Sequence, residues 1–175
     1  PGTGKTRVIT QRIARLLSEE KIHPSSIAAI TFTNRAAEEM KDRLVSLVRE
    51  SGCELPFTGT FHSLCLKIIR AAHPDRHFGV IDQYQRDAVI RNVVSALKKN
   101  GQTIKAADLS DFISESKQAV SENDKAGEKK AASTALSDAF LMYQSMLEEK
   151  SLLDFDDLMH KSILLLRDNT DIRNQ

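Results

Sequence analysis

The sequence predicts a helix-rich α/β protein, and three observations carry that expectation. Short β-branched runs alternate with amphipathic helical stretches as far as about residue 79. From Asp82 the alternation stops and three helical periods follow one another. A Gly-Lys-Thr at residues 4–6 stands where a tight glycine turn opens a helix.

Taken in order, Ile9, Ile13, Leu16 and Leu17 recur at helical spacing, so the first helix begins at the Gly-Lys-Thr. After the Pro24-Ser25-Ser26 break, residues 27–32 form a short apolar run whose length and β-branched content predict a buried strand of a parallel sheet. Thr33 or Asn34 caps the next helix, with a stripe of Ala37, Met40, Leu44 and Leu47. Residues 57–60 follow Pro56 as a second strand. Phe61, Leu64, Cys65, Ile68, Ile69 and Ala72 then repeat at helical spacing up to Pro74.

Three amphipathic helices are marked by Val89, Val93 and Leu97, by Leu109, Phe112, Ile113 and Val120, and by Leu136, Phe140, Tyr143 and Leu147. The polar stretch 121–128 between the second and third has no apolar period and reads as an exposed loop. In the last segment Asp154 caps a helix, Asp156 and Asp157 fall in its first turn, and Leu158, Met159, Ser162, Ile163 and Leu166 give its face.

The 175 residues suffice for one domain, or for one carrying a smaller insertion. A net charge of +1 gives no overall signature for nucleic acid, so any polyanion site is local. Cys53 and Cys65, twelve apart with no CxxC pair or matching histidine spacing, fit reduced thiols better than a disulfide or zinc site. No apolar run approaches the ~20 residues that span a bilayer, and the chain reads as cytoplasmic. It lacks an initiator methionine and opens inside a motif, from which we expect a longer parent.

Gly2-Thr3-Gly4-Lys5-Thr6 matches the end of the phosphate-binding pattern GxxxxGK[ST] without its first glycine. Gly2 and Gly4 let backbone N–H groups curl around phosphate oxygens, and the helix that follows adds its positive end. Lys5 would neutralise phosphate charge and Thr6 would offer its hydroxyl to Mg²⁺. A glycine-rich helix start with no ligand is the plainer alternative. Asp154, Asp156 and Asp157 invite a metal reading, but helix capping accounts for them and no histidine or further carboxylate completes a ligand set. The lysines and arginines of the helical block, Arg86 and Lys117 among them, read mostly as a solvated mixed-charge face.

Three further segments narrow the reading. Residues 30–40, Ile-Thr-Phe-Thr-Asn-Arg-Ala-Ala-Glu-Glu-Met, resemble the ITFTNKAAxEM segment of the UvrD/Rep/PcrA family of superfamily 1 helicases, with Arg35 for the usual lysine. Residues 59–64 resemble its GTFHxL segment, and residues 153–158 its DFDDL segment. With the loop, these four segments stand in the family's order.

The resemblance implies a partial RecA-like P-loop NTPase domain with an all-helical inserted subdomain. Residues 1–79 would belong to the ATP-binding motor domain, 80–150 to the insertion, and 151–175 to a helix returning to the motor. It implies ATP and Mg²⁺ as cofactors, with Gly2, Thr3, Gly4, Lys5, Thr6 and Arg7 around the nucleotide, Arg7 stacking on adenine. It also implies contact with single-stranded DNA through Phe32, Thr33, Asn34, Arg35, Thr60, Phe61 and His62. Phe32 and Phe61 suit base stacking; Thr33, Asn34 and Thr60 suit phosphate hydrogen bonds; Arg35 adds charge. For Phe32 a core role at the end of a buried strand remains an equal reading, and for His62 the contact rests on the resemblance. The implied parent is a 3′ to 5′ translocase working at a single-strand/duplex junction, with a second motor domain, and this chain by itself is expected to be inactive. A P-loop NTPase that does not act on DNA and a non-catalytic interaction module are the alternatives.

Overall fold

Gly4 takes the left-handed conformation at φ 70°, ψ 1°, and directly after it α1 (Lys5–Ser18) begins. A Cβ costs about 1–2 kcal/mol in that conformation, so a glycine makes this helix entry cheap. The computed structural model describes residues 4–48, 52, 54–118 and 134–174. Gly2, Thr3, Cys53, Val120 and the loop expected at 121–128 therefore lie outside the described residues, as does the side chain of Lys5.

The chain divides into two compact units, one reaching to Leu64 and the other Cys65–Asn174. In the first unit, α1 leads through a 3₁₀ turn at Pro24–Ser26 to β1 (Ala28–Thr31) and α2 (Asn34–Val48). β2 (Phe57–Thr60) pairs with β1 in parallel, with Ile30 opposite Gly59 and Thr31 opposite Thr60. The strand–helix–strand order thus forms as expected from the alternating pattern.

The core of this unit gathers Ile13, Leu17, Ala29, Met40, Leu44 and Val48. Two positions differ from the expected stripes. In α1, Ile9 is 47% exposed while Ile13 and Leu17 are buried; in α2, Leu47 is exposed and Val48 takes its place. In α2, 3.6 residues per turn lets either of two adjacent apolar residues face inward, and the packing partner chooses; in α1 Thr10 turns inward instead of Ile9, its hydroxyl bonded to the helix backbone.

Gly59 is held by its surroundings. A Cβ there would come within 2.8 Å of the Phe57 ring and would also strike Ser63 Oγ. We expect Gly59→Ala to cost about 1–3 kcal/mol through overpacking, read as a lowered urea midpoint at unchanged slope.

The boundary between the units falls inside α3 (Phe61–Ala72). The second unit continues with β3 (Gly79–Val80), α4 (Gln83–Lys99), α5 (Ala106–Gln118), α6 (Thr134–Glu148), β4 (Leu152–Leu153), α7 (Phe155–Asp168) and α8 (Thr170–Asn174). The three expected helices of the block form, α4 with a full Asp82/Gln85 capping box. Their core holds Ile90, Val93, Leu97, Leu109, Ile113, Ala139, Tyr143 and Leu147.

The pairing of β3 with β4 in parallel, Gly79 opposite Leu152 and Val80 opposite Leu153, has no sequence signal because each strand is two residues long. In α7 the buried face is Leu158 and Ser162, whereas Met159 and Ile163 are 38% and 39% exposed. Ser162 is tolerated there because its hydroxyl donates to the Cys65 carbonyl at 3.1 Å. The second cysteine, Cys65, is a buried free thiol. No described helix is long and apolar enough to cross a membrane.

Candidate functional site

The parallel register carries two aromatic side chains to the same edge. Phe32 and Phe61 each follow the last paired residue of their strand, so they emerge side by side at the carboxyl ends of β1 and β2. Their ring centroids lie 6.4 Å apart with the planes tilted by 60°. Phe32 is 93% exposed and Phe61 48%. A phenylalanine so open to water contributes little to folding, so the core reading of Phe32 is excluded. This edge of a parallel sheet is where α/β proteins present ligand-binding groups.

Threonine hydroxyls fix the backbone on either side. Thr33 Oγ1 accepts the Ala36 N–H at 3.2 Å and so caps α2, while Thr31 Oγ1 donates to the Thr33 carbonyl at 3.0 Å. At the start of α3 the bonds are reciprocal: Thr60 N–H donates to Ser63 Oγ at 2.7 Å, and Ser63 N–H donates to Thr60 Oγ1 at 3.3 Å. This is a capping box with serine at its third position. Thr60 is only 8% exposed and its hydroxyl is already engaged, so it holds the first turn of α3 rather than standing open at the surface.

Asn34 and His62 are exposed in the first turns of α2 and α3. Arg35 is 89% exposed and pairs with Glu39 at 3.3 Å, one turn along α2. A solvated pair of this kind is worth at most a few tenths of a kcal/mol, which leaves the guanidinium available to a polyanion.

At the start of α1 no side chain caps the helix and its first turn carries no acidic residue. The N–H groups of that turn and the positive end of the helix thus meet no carboxylate of the turn itself, which fits a phosphate. Thr6 is half-buried and Arg7 exposed. Thr10, almost wholly buried, donates to the carbonyls of Thr6 and Arg7 at 3.0 Å each and steadies the turn that bears them. Among the described residues no group of histidine, cysteine or carboxylate side chains is arranged to hold a metal ion.

The second unit contains a polar core that sequence reading missed. Lys117 and Arg86, expected on a solvated face, are buried. Lys117 Nζ lies 2.7 Å from Asp154 Oδ2 and 2.9 Å from Asp157 Oδ1. Tyr143 donates its hydroxyl to Asp154 Oδ2 at 2.6 Å, and Asp157 N–H donates to Asp154 Oδ1 at 2.7 Å. Arg86 donates to Ser110 Oγ and Ser114 Oγ, and Ser114 in turn donates to Asp156.

The signal was present in the sequence. Lys117 continues the Leu109–Ile113 stripe of α5, and Arg86 continues the Ile90–Val93–Leu97 stripe of α4. Burial alone would raise the Asp154 carboxyl, but the Lys117 ammonium beside it prevails and holds it below the usual carboxylate range. Burial first, and then the charge of Asp154, push the Tyr143 phenol well above its ordinary value. His160 Nδ1 lies 2.8 Å from the Lys117 carbonyl, so it serves the same packing.

A parallel strand pair joined through a helix, with helices following each strand, defines an α/β protein. The UvrD/REP helicase N-terminal domain matches residues 1–175, and the chain belongs to that family. It is 35% identical over 186 aligned positions to a probable DNA helicase II homolog of Mycoplasma capricolum, covering 99% of this chain and 25% of that one. The ATP-dependent DNA helicase PcrA of Bacillus subtilis is 33% identical, covering 94% of this chain and 23% of the relative. The PcrA of Staphylococcus epidermidis is 36% identical with the same shares. The chain thus spans about a quarter of the length of the curated relatives it matches.

Proposed function

We propose that this chain is part of the first motor domain of an ATP-dependent DNA helicase that moves 3′ to 5′ along single-stranded DNA and acts at its junction with duplex. Residues 1–79 and 151–175 contribute to a RecA-like domain, and 80–150 form its helical insertion. The single observation that supports this reading best is the Phe32–Phe61 pair, exposed at matched positions of two parallel strands within segments typical of the family.

Each residue has a physical task. Phe32 and Phe61 offer faces to bases, Thr33 and Asn34 offer polar groups to phosphate, Arg35 supplies charge, and His62 stands beside them on α3. Thr60 acts by fixing the turn that aims Phe61. On the nucleotide side, Gly2, Thr3 and Gly4 shape the loop, Lys5 neutralises phosphate charge, Thr6 meets Mg²⁺ and Arg7 meets the adenine. Bound ATP supplies the free energy of phosphoanhydride hydrolysis. A second motor domain and a cytoplasmic setting complete the reading.

Alanine at both Phe32 and Phe61 tests it. With about 1–3 kcal/mol lost for each base no longer stacked, affinity for a labelled oligothymidylate should fall at least about thirtyfold in fluorescence anisotropy. Unchanged affinity in a folded double variant would remove the aromatic pair from the DNA path. Tight ATP turnover with no oligothymidylate binding by the unsubstituted full-length protein would replace the helicase reading with that of a nucleotide-only NTPase.

A further inference from the structure

A cavity of about 630 Å³ opens within the second unit, lined by the last turns of α3, the residues around β4, and α7. Its floor is aliphatic, with Ile69 and Leu153 buried and Leu165 half-buried beside them. Two cations stand around that floor, Arg76 and Lys161. Among the described residues neither makes an ion pair, although Lys161 is only half exposed. The Arg76 guanidinium lies 5.0 Å from the centre of the Phe78 ring, and the His73 ring meets Phe78 edge-on at 5.9 Å. Arg76 is thus laid down against an aromatic wall, with its charge exposed.

Carboxylates also reach the cavity. Asp168 is already held by Arg167 at 2.7 Å, which leaves Glu148 as the acid without such a partner among the described residues. An apolar floor beside two uncommitted cations is complementary to an anion carrying a greasy group. A nucleotide suits it poorly: the floor is aliphatic, one face of Phe78 is covered by Arg76, and no glycine loop lines the walls. The volume lies within the range of ligand pockets and is ample for one large side chain with its neighbours.

We propose that this cavity docks an acidic peptide segment of a protein partner, one large apolar side chain seated on Ile69, Leu153 and Leu165 and its flanking carboxylates meeting Arg76 and Lys161. The cavity is lined by other residues than the strand-end aromatics, and the proposal does not depend on their role.

The test uses the 175-residue chain and a fluorescein-labelled decapeptide with one central phenylalanine flanked by aspartate and glutamate. Saturable binding is expected with Kd on the order of 10–100 µM, as befits a short interface. Arg76→Glu and Lys161→Glu should each weaken it about tenfold with unchanged thermal melting, and the double reversal should prefer a lysine-flanked peptide. Should a reversed variant fail to fold, the unsubstituted chain still decides: replacing the peptide's phenylalanine by alanine, or its acids by amides, must abolish binding. Absence of saturable binding, or equal binding of the alanine peptide, overturns the proposal. So does equal affinity of folded reversed variants, or displacement of the peptide by oligothymidylate that persists in the Phe32→Ala, Phe61→Ala variant, which would mark the cavity as a nucleic-acid site.

Discussion

Replacing Asp154 by alanine is expected to destabilise the second unit by about 3–5 kcal/mol, the cost of removing one partner from a buried ion pair. The carboxylate receives Lys117 Nζ at 2.7 Å, the Tyr143 hydroxyl at 2.6 Å and the Asp157 N–H at 2.7 Å. Its loss leaves an ammonium that is 3% exposed with Asp157 alone, a buried phenol with no acceptor, and α7 without its N-cap. Arg86 cannot take up the slack, since a guanidinium offers no acceptor and its own Nε, 3.9 Å from Asp154 Oδ2, loses the same charge. Urea unfolding followed by circular dichroism should show a lower midpoint at unchanged slope; a shift below about 1 kcal/mol would mean the cluster is solvated in a way the packing does not show.

The same carboxylate sets a pH dependence. Its folded value lies below the unfolded one, so in the window between them the unfolded chain binds the proton and the folded chain does not. The stabilisation is therefore fully present above the ordinary aspartate value of about 3.9 and is lost as pH falls through the lower folded value. Asp154→Asn, which keeps a capping oxygen but no charge, should begin less stable and lose less on acidification below about pH 4. An acid limb as steep as that of the unsubstituted chain would assign the effect to other groups.

The second large effect concerns turnover. In the full-length protein, Lys5→Ala should lower DNA-stimulated ATP hydrolysis by about 10²–10³, the usual consequence of removing one charge-stabilising group from a transition state. Oligothymidylate affinity without nucleotide should stay within about twofold, because the aromatic pair lies at the ends of β1 and β2 and Lys5 at the start of α1. Turnover within a few-fold of the unsubstituted protein would show that the Gly-Lys-Thr is an ordinary helix entry and that the hydrolytic site lies elsewhere.

Much of the local structure was legible because it depends on neighbours in sequence. The left-handed Gly4 before α1, the Thr33 cap of α2, the Asp154 cap and the stop before Pro74 are each decided within a few residues. The parallel β1–β2 pair followed from the strand–helix–strand order, since a crossover connection favours that pairing.

Choices between adjacent apolar residues were not legible. Whether Leu47 or Val48 turns inward depends on what α2 packs against, and pattern alone leaves the helix free to rotate by one position. The two-residue β3–β4 pairing joins segments 73 positions apart through bonds that no local propensity announces, as in Gly79 opposite Leu152.

The sequence by itself therefore determined the chain's helix starts, its alternating architecture and the aromatic and polar residues gathered at the strand ends. Only the tertiary structure decided that Phe32 is exposed, that Thr60 is covered, and that Lys117 and Arg86 are buried against the carboxylates of α7. The physical reason is common to all three. Exposure and charge pairing depend on which elements approach from elsewhere in the chain: Lys117 and Arg86 lie in line with apolar stripes, but nothing local supplies the carboxylates that make their burial tolerable.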